Sequence, residues 1–256
     1  MSRLLHSKLG IYFLIVLSHL AVIAIWHFWV VIADVRSFIM PTPLATLQTL
    51  TSAKYKWVDN TLVTAAEIYG GYALGVAVGV SVALLFSWFR TVNSIFMPLF
   101  VSLNMIPKVA LGPLFIVWFS FGIRSNIIIA FSICFFPILL NTARGLREVE
   151  PELIELVRSI RASKWQVFTK IQLPGSLPYV FSGMKVGAIL AVAGAIVGEF
   201  IASDRGLGFL MIQVQATLDT AGMFMSVMLI SLVGVSLYLM VLALERTFVV
   251  RDERQE

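Results

Sequence analysis

The chain is poor in charge. Only 13% of its 256 residues are Asp, Glu, Lys or Arg, where a soluble domain carries about 25%. Hydrophobic residues make up 59%, and mean hydropathy is +0.92. These values exclude a soluble enzyme. Cysteine is nearly missing: Cys134 stands alone inside an apolar run and has no disulfide partner in the chain. The signatures Gly-x-x-x-x-Gly-Lys-Ser/Thr, His-Glu-x-x-His and Gly-x-Ser-x-Gly do not occur, so neither a nucleotide phosphate loop nor the commonest intramembrane hydrolase chemistries are encoded. His6, His19 and His27 have no Cys, Asp or Glu beside them; no metal, cofactor or catalytic residue is expected. Short alternating segments, the mark of a membrane barrel, are lacking as well. The fold class is therefore all-α and polytopic.

What the chain has is apolar length. Stretches without charge cover 11–33, 68–89, 91–123 broken only by Lys108, 125–143, 177–202 broken by Lys185 and Glu199, and 220–244. Each is long enough to cross about 30 Å of hydrocarbon, giving about six transmembrane helices. The first run lacks a clear cleavage site and reads as a retained helix. In the third, Pro107 and Gly112-Pro113 interrupt helical hydrogen bonding, which predicts one crossing with a kink or re-entrant break. In the fifth, Gly183, Gly187, Ala191, Gly194, Ala195 and Gly198 place small residues at three- and four-residue spacings, the pattern of close helix contact in lipid, and put this helix at the centre of the bundle. With these six crossings, twelve Lys and Arg fall on the side of the termini and five on the other. The positive-inside rule then places both termini in the cytoplasm. The net charge of +5 is explained by those loops; the basic residues form no stripe that would suit a nucleic acid. The segment 34–67 lies on the outer side, with Pro41-Thr-Pro43 opening a short surface helix.

The cytoplasmic loop 144–174 is the most informative part. Pro151 suits a first helical turn, and Leu153, Leu156, Val157 and Ile160 make one apolar face. A second helix starts at Ser163-Lys-Trp-Gln166, which has the form of a capping box, continues with Trp165, Phe168 and Ile171 on one face, and is expected to end at Leu173-Pro174. Physics alone leaves two readings of this two-helix knob: a surface element resting on the bilayer, or a projection made for a partner.

The residues Glu155-Leu-Val-Arg-Ser-Ile-Arg161 followed by Ile171-Gln-Leu173-Pro174 resemble the EAA loop of binding-protein-dependent ABC importer permeases, Glu-Ala-Ala, three residues, Gly, nine residues, Ile-x-Leu-Pro. Spacing is matched throughout. Leu156 and Val157 replace the alanines, and Arg161 stands at the glycine. Ile106-Pro-Lys-Val-Ala-Leu-Gly-Pro-Leu114, Trp118-Phe-Ser-Phe-Gly122, Phe136-Pro137, Leu177-Pro178 and Glu199 with Gly206-Leu-Gly208 extend the resemblance over residues 60–245. They are similar to the nitrate, sulfonate, taurine and thiamine-precursor branch, where Ser120 is more often Gly. The resemblance implies a type I (MetI-like) permease fold with a cytoplasmic coupling helix, one transmembrane domain over 1–256. It implies a multi-pass subunit of the inner or plasma membrane that pairs with a second permease copy, two cytoplasmic ATP-binding subunits and an external binding protein. The solute would be small, polar and anionic, or a thiamine precursor. The residues it assigns to ATPase coupling are Glu155, Arg158, Arg161, Ala162, Trp165, Phe168, Leu173 and Pro174. An ion-gradient-driven secondary transporter is the alternative.

Two charges lie uncomfortably within the hydrocarbon, where ionisable groups mark pathways or internal pairs. Lys108 either lines the translocation path or caps carbonyls freed by the break at Pro107. Glu199 either lines the path or pairs with a neighbouring helix or Arg205. Lys185, at the inner end of its helix, is expected to snorkel to the interface.

Overall fold

The computed structural model describes residues 8–148, 156–157, 159 and 161–249. Among these the regular structure is helical: α1 (Lys8–Ile32), α2 (Pro43–Gln48), α3 (Trp57–Trp88), α4 (Arg90–Asn104), α5 (Gly112–Phe119), α6 (Ile123–Gly145), α7 (Lys164–Val167), α8 (Leu173–Ala202), α9 (Leu207–Ala216) and α10 (Thr220–Phe248). Short 3-10 turns cover Thr49–Thr51, Ala53–Tyr55 and Lys108–Leu111. Among the described residues five helices are long and apolar enough to cross a membrane, and α4 with the Lys108–Phe119 segment, bent by 84°, makes a sixth span if the pair is one. The expected break near Pro107 is therefore present as a sharp elbow.

Two boundaries differ from expectation. α3 starts at Trp57, so Glu67 belongs to a membrane helix and not to the outer segment. Counting charge-free runs stops at the first carboxyl, and this carboxyl has partners that let it go inside. The second difference is at Leu173-Pro174, which does not end a helix. A π-helical turn, Phe168–Gln172, joins α7 directly to α8. Pro174 has no N–H for the Lys170 carbonyl and its ring would crowd it. Widening the turn accommodates this, with Leu173 N–H reaching back five residues to Phe168 O.

The chain forms two compact units. One comprises the residues up to Trp57 with Leu210–Leu229. In it α1 is almost entirely exposed, with Val30 buried, as an apolar helix facing lipid should be. Trp26 stacks on Phe224 at 5.5 Å and donates from Nε1 to Pro41 O. Thr42 caps α2 by accepting from Ala45 N–H, with Pro43 in the first turn. Asp219 caps α10 by accepting from Gly222 N–H at 3.1 Å, and its other oxygen accepts from Tyr55 Oη at 2.7 Å and Lys54 Nζ at 3.0 Å. Partial burial alone would push the Asp219 carboxyl up; these donors outweigh it and hold the group below its ordinary value.

The other unit comprises Val58–Phe209 and the chain from Ile230 onward. Its centre is α6, on which Ile129, Ala130, Cys134, Ile138 and Leu139 are fully buried. α8 packs along α6 through its small residues. A Cβ on Gly183 would lie 2.9 Å from Asn141 Cβ, and one on Gly194 2.7 Å from Ala130 Cα. α3 approaches α6 from Gly71, Gly75 and Gly79, four residues apart on one face; a Cβ on Gly71 would lie 2.5 Å from Ala130 Cβ and 2.9 Å from Ile127 O. The small-residue seam of α8 was legible in sequence; that of α3 is a second one. Where van der Waals packing drives helix association in lipid, such seams set the interaxial distance.

Candidate functional site

The element that precedes α8 is built from local signals. Arg161 has φ +61°, and Ala162 N–H bonds to Val157 O at 3.2 Å, the six-to-one bond of a Schellman motif with Arg161 at the left-handed position. The arginine thus occupies the backbone conformation for which glycine is suited. Ser120, the other departure from a glycine, has φ +69°, and its carbonyl accepts from Ser125 Oγ. The left-handed Arg161 costs about 1–2 kcal/mol; Ser120, with ψ 173°, lies in the extended positive-φ region that glycine alone enters freely, at about 1–3 kcal/mol. Next in the chain, the capping box forms as its spacing implies: Ser163 Oγ accepts from Gln166 N–H at 3.2 Å and Gln166 Oε1 accepts from Ser163 N–H at 2.8 Å.

The aromatic face that follows meets α3. Trp165 and Phe168 lie edge-to-face against Trp88 at 5.8 and 5.5 Å, and Lys164 Nζ sits 5.4 Å over the Trp88 ring. Trp165 remains 62% exposed, so much of its surface is open beyond this contact. Trp88 was not a sequence candidate; the signal would have been an aromatic at the predicted inner end of a span. Leu173 is half-buried and Pro174 exposed. Glu155, Arg158 and the first turns from Pro151 lie outside the described residues. Arg161→Gly is expected to raise the thermal unfolding midpoint, reflecting roughly 1–2 kcal/mol of relieved backbone strain, and to leave solute uptake intact; lost uptake would mean that the guanidinium makes a required contact.

At the elbow, Lys108 Nζ donates to Asn104 O at 2.7 Å and to Asn104 Oδ1 at 2.8 Å, and lies 4.6 Å from the Phe136 ring centroid. Asn104 O is among the carbonyls left without an intrahelical donor where α4 stops. The ammonium thus sits at the helix end and on an aromatic face. Lys185 does not snorkel: it bonds Glu245 on α10 at 2.9 and 3.0 Å. A carboxylate at that depth is a closer partner than the interface.

Glu199 is 1% exposed. Its Oε1 accepts from Thr64 Oγ at 2.5 Å, and its Oε2 accepts from the N–H groups of Gly208 and, at 3.3 Å, Phe209. A Cβ on Gly206, whose φ is +107°, would collide with this carboxylate, so the Gly206-Leu-Gly208 sequence is what lets the start of α9 close over it. Asn60 Oδ1 accepts from Gly206 N–H at 2.9 Å, and Thr64 Oγ accepts from Leu207 N–H at 2.8 Å. The carboxylate occupies the positive end of α9. Arg205 is not its partner; it faces Asp204 at 3.8 Å, and both are exposed. The geometry thus brings Glu199 together with Glu67, Thr64 and Asn126, which sequence reasoning did not pair, and leaves Lys108 at a separate place.

Among the described residues, helices long and apolar enough to cross a membrane, a bent pair, and a capped projection continuous with one of them define a polytopic helical membrane protein. Residues 75–250 match the family described as "binding-protein-dependent transport system inner membrane component", and the chain belongs to that family: it is an ABC importer permease subunit. It is 31% identical over 78% of its length to the formylaminopyrimidine transport permease protein of Halalkalibacterium halodurans, covering 80% of that protein. It is 32% identical over 88% of its length to the riboflavin transport system permease protein of Chloroflexus aurantiacus, covering 84% of that one. In fold it is similar to the solved inward-facing MetNI methionine ABC transporter, with a TM-score of 0.61 over 78% of this chain and 100% of that chain at 21% identity.

Proposed function

We propose that the chain lies in the inner membrane with both termini in the cytoplasm, pairs with a second copy of itself, and works with two ATP-binding subunits and an external binding protein. ATP-driven closure of the ATPase pair pushes on residues 151–172, the coupling element, and rocks the membrane helices between outward- and inward-open states. The observation that carries this reading is the continuity of the capped helix from Lys164 through the π turn into α8. A push on such a projection moves a membrane helix, where a flexible loop would absorb it. Glu155 and Arg158 meet groups of opposite charge on the ATPase, Arg161 and Ala162 shape the turn, Trp165 and Phe168 back the projection, and Leu173-Pro174 joins it to the membrane.

The solute is a small polar molecule delivered by the binding protein. The relatives named for formylaminopyrimidine and riboflavin support a heterocyclic solute. Lys108 stands on the path at the elbow, and Glu199 closes the path's outer end through α9. The test is uptake in proteoliposomes holding permease, ATPase and binding protein. Uptake should need ATP and persist when proton and sodium gradients are collapsed; uptake driven by a gradient without ATP would establish the secondary-transporter reading. In the same assay Lys108→Ala should lower uptake, because the path loses its cation at the elbow, while co-purification with the ATPase is retained. Unchanged uptake would remove Lys108 from the pathway.

A further inference from the structure

Glu67 on α3 and Glu199 on α8 are 0% and 1% exposed and share one buried cluster: Thr64, one turn from Glu67, donates to Glu199, and Asn126, which donates to Glu67, lies against Gly198 beside Glu199. Two carboxylates are both pure acceptors, so a bond between them needs a hydrogen that neither ionised group has. The remaining partners decide where that hydrogen resides. Glu199 already accepts from Thr64 Oγ, Gly208 N–H and Phe209 N–H, and it faces a helix N-terminus that favours negative charge. Glu67 accepts only from Asn126 Nδ2, at 2.8 Å. Its Oε2 has no donor, and neither has Oδ1 of Asn126, a fully buried amide held against it. Buried acceptors in native structures are almost always answered by a donor.

No counter-charge is at hand among the described residues. On α6 the nearest ionisable residue in sequence, Arg124, is exposed; on the turn after α8, Asp204 and Arg205 are exposed and face each other. The side chains packed around the pair from α3, α6 and the turn are Asn60, Thr64, Asn126 and Ser203, all neutral. Two adjacent carboxylates without a cation repel strongly in a site that excludes water, and such pairs settle by sharing one proton.

We propose that Glu67 is a proton-binding site: it takes one proton from water on its unanswered oxygen, becomes a neutral carboxylic acid, and donates that hydrogen to the Glu199 carboxylate. The pair then carries one negative charge instead of two, matched to the positive end of α9. The bound proton completes a bolt across the ends of α3, α6 and α8 and the Gly206–Phe209 turn, because each of these contributes a donor or acceptor to the same network. Drawing the proton off sets two like charges against each other and loosens the bolt.

Infrared spectroscopy of the full-length protein in lipid nanodiscs tests this. A carbonyl stretch of a protonated carboxylic acid, sensitive to exchange into D2O, should be present at neutral pH in the native protein and absent from Glu67→Gln. The glutamine amide supplies the missing donor without titrating, so this variant should fold and keep its unfolding midpoint from neutral to alkaline pH, while the midpoint of the native protein falls over that range. Absence of the acid band from the native protein overturns the proposal without need of any variant. Persistence of the full band in Glu67→Gln overturns it equally.

Discussion

Gly71→Leu should leave almost no folded permease in the membrane. A Cβ at this position would meet Ala130 Cβ at 2.5 Å, Ile127 O at 2.9 Å and Phe131 N at 3.0 Å, and two of these three atoms belong to the α6 backbone. Neither can rotate away. The helices would have to separate along the whole seam, withdrawing Gly75 and Gly79 from Cys134 and Ile138. Overpacking costs about 1–3 kcal/mol where side chains can adjust, and more where they cannot, against a total stability of about 5–15 kcal/mol. Gly70→Ala is the control: its Cβ would meet Ile127 Cδ1 at 3.1 Å, the far end of a side chain that can give. Size-exclusion of detergent-extracted fluorescent fusions reads the outcome. A Gly71→Leu protein eluting as a sharp peak in native yield would show that the α3–α6 contact is not required for the fold.

Trp88→Ala should uncouple the transporter while leaving it assembled. Trp88 stands between α3 and the projection, held by two edge-to-face rings and a lysine. Each aromatic pair is worth about 0.5–1.5 kcal/mol beyond burial and an exposed cation–π contact about 0.5–1 kcal/mol. Their loss removes roughly 1.5–4 kcal/mol from the contact between the two elements, and about 1.4 kcal/mol is a factor of ten in population. Uptake per ATP hydrolysed should fall roughly tenfold or more, co-purification with the ATPase should persist, and Trp88→Phe should recover most of the loss. Native coupling in Trp88→Ala would mean that α3 takes no part in transmitting the push. Loss of ATPase binding in Glu155→Lys tests the coupling element itself, so the two ideas can fail separately.

Features set by neighbours in sequence were legible, and those set by neighbours in space were not. The crossings and the elbow at Pro107 follow from hydropathy and a missing N–H. The Ser163–Gln166 box closes within four residues. By contrast, sequence alone has Lys185 snorkel, because Glu245 is sixty residues away in the chain. It sets Glu67 outside, because a lone carboxyl before an apolar run normally marks its edge; the α8 carboxylate beside it is visible only in three dimensions. It makes Leu173-Pro174 a stop, because proline usually is one, and nothing local distinguishes a stop from a widened turn. Of the candidate coupling residues, the sequence placed the cap and the aromatic face but not the Trp88 surface that receives it.

The π turn also fixes a direction. Relative to an unbroken α-helix it holds one extra residue, and one residue of an α-helix is about 100° of rotation. Phe168–Gln172 therefore works as an angular offset between the part of the rod outside the membrane and the part within it. Deleting a single residue there would swing Trp165 and Phe168 roughly a quarter-turn around the helix axis, away from Trp88, and would bring the Pro174 ring against a carbonyl that the widened turn clears. The bearing of the projection is thus set by residue count as much as by side-chain chemistry, and an insertion or deletion in this stretch would change what the rod points at.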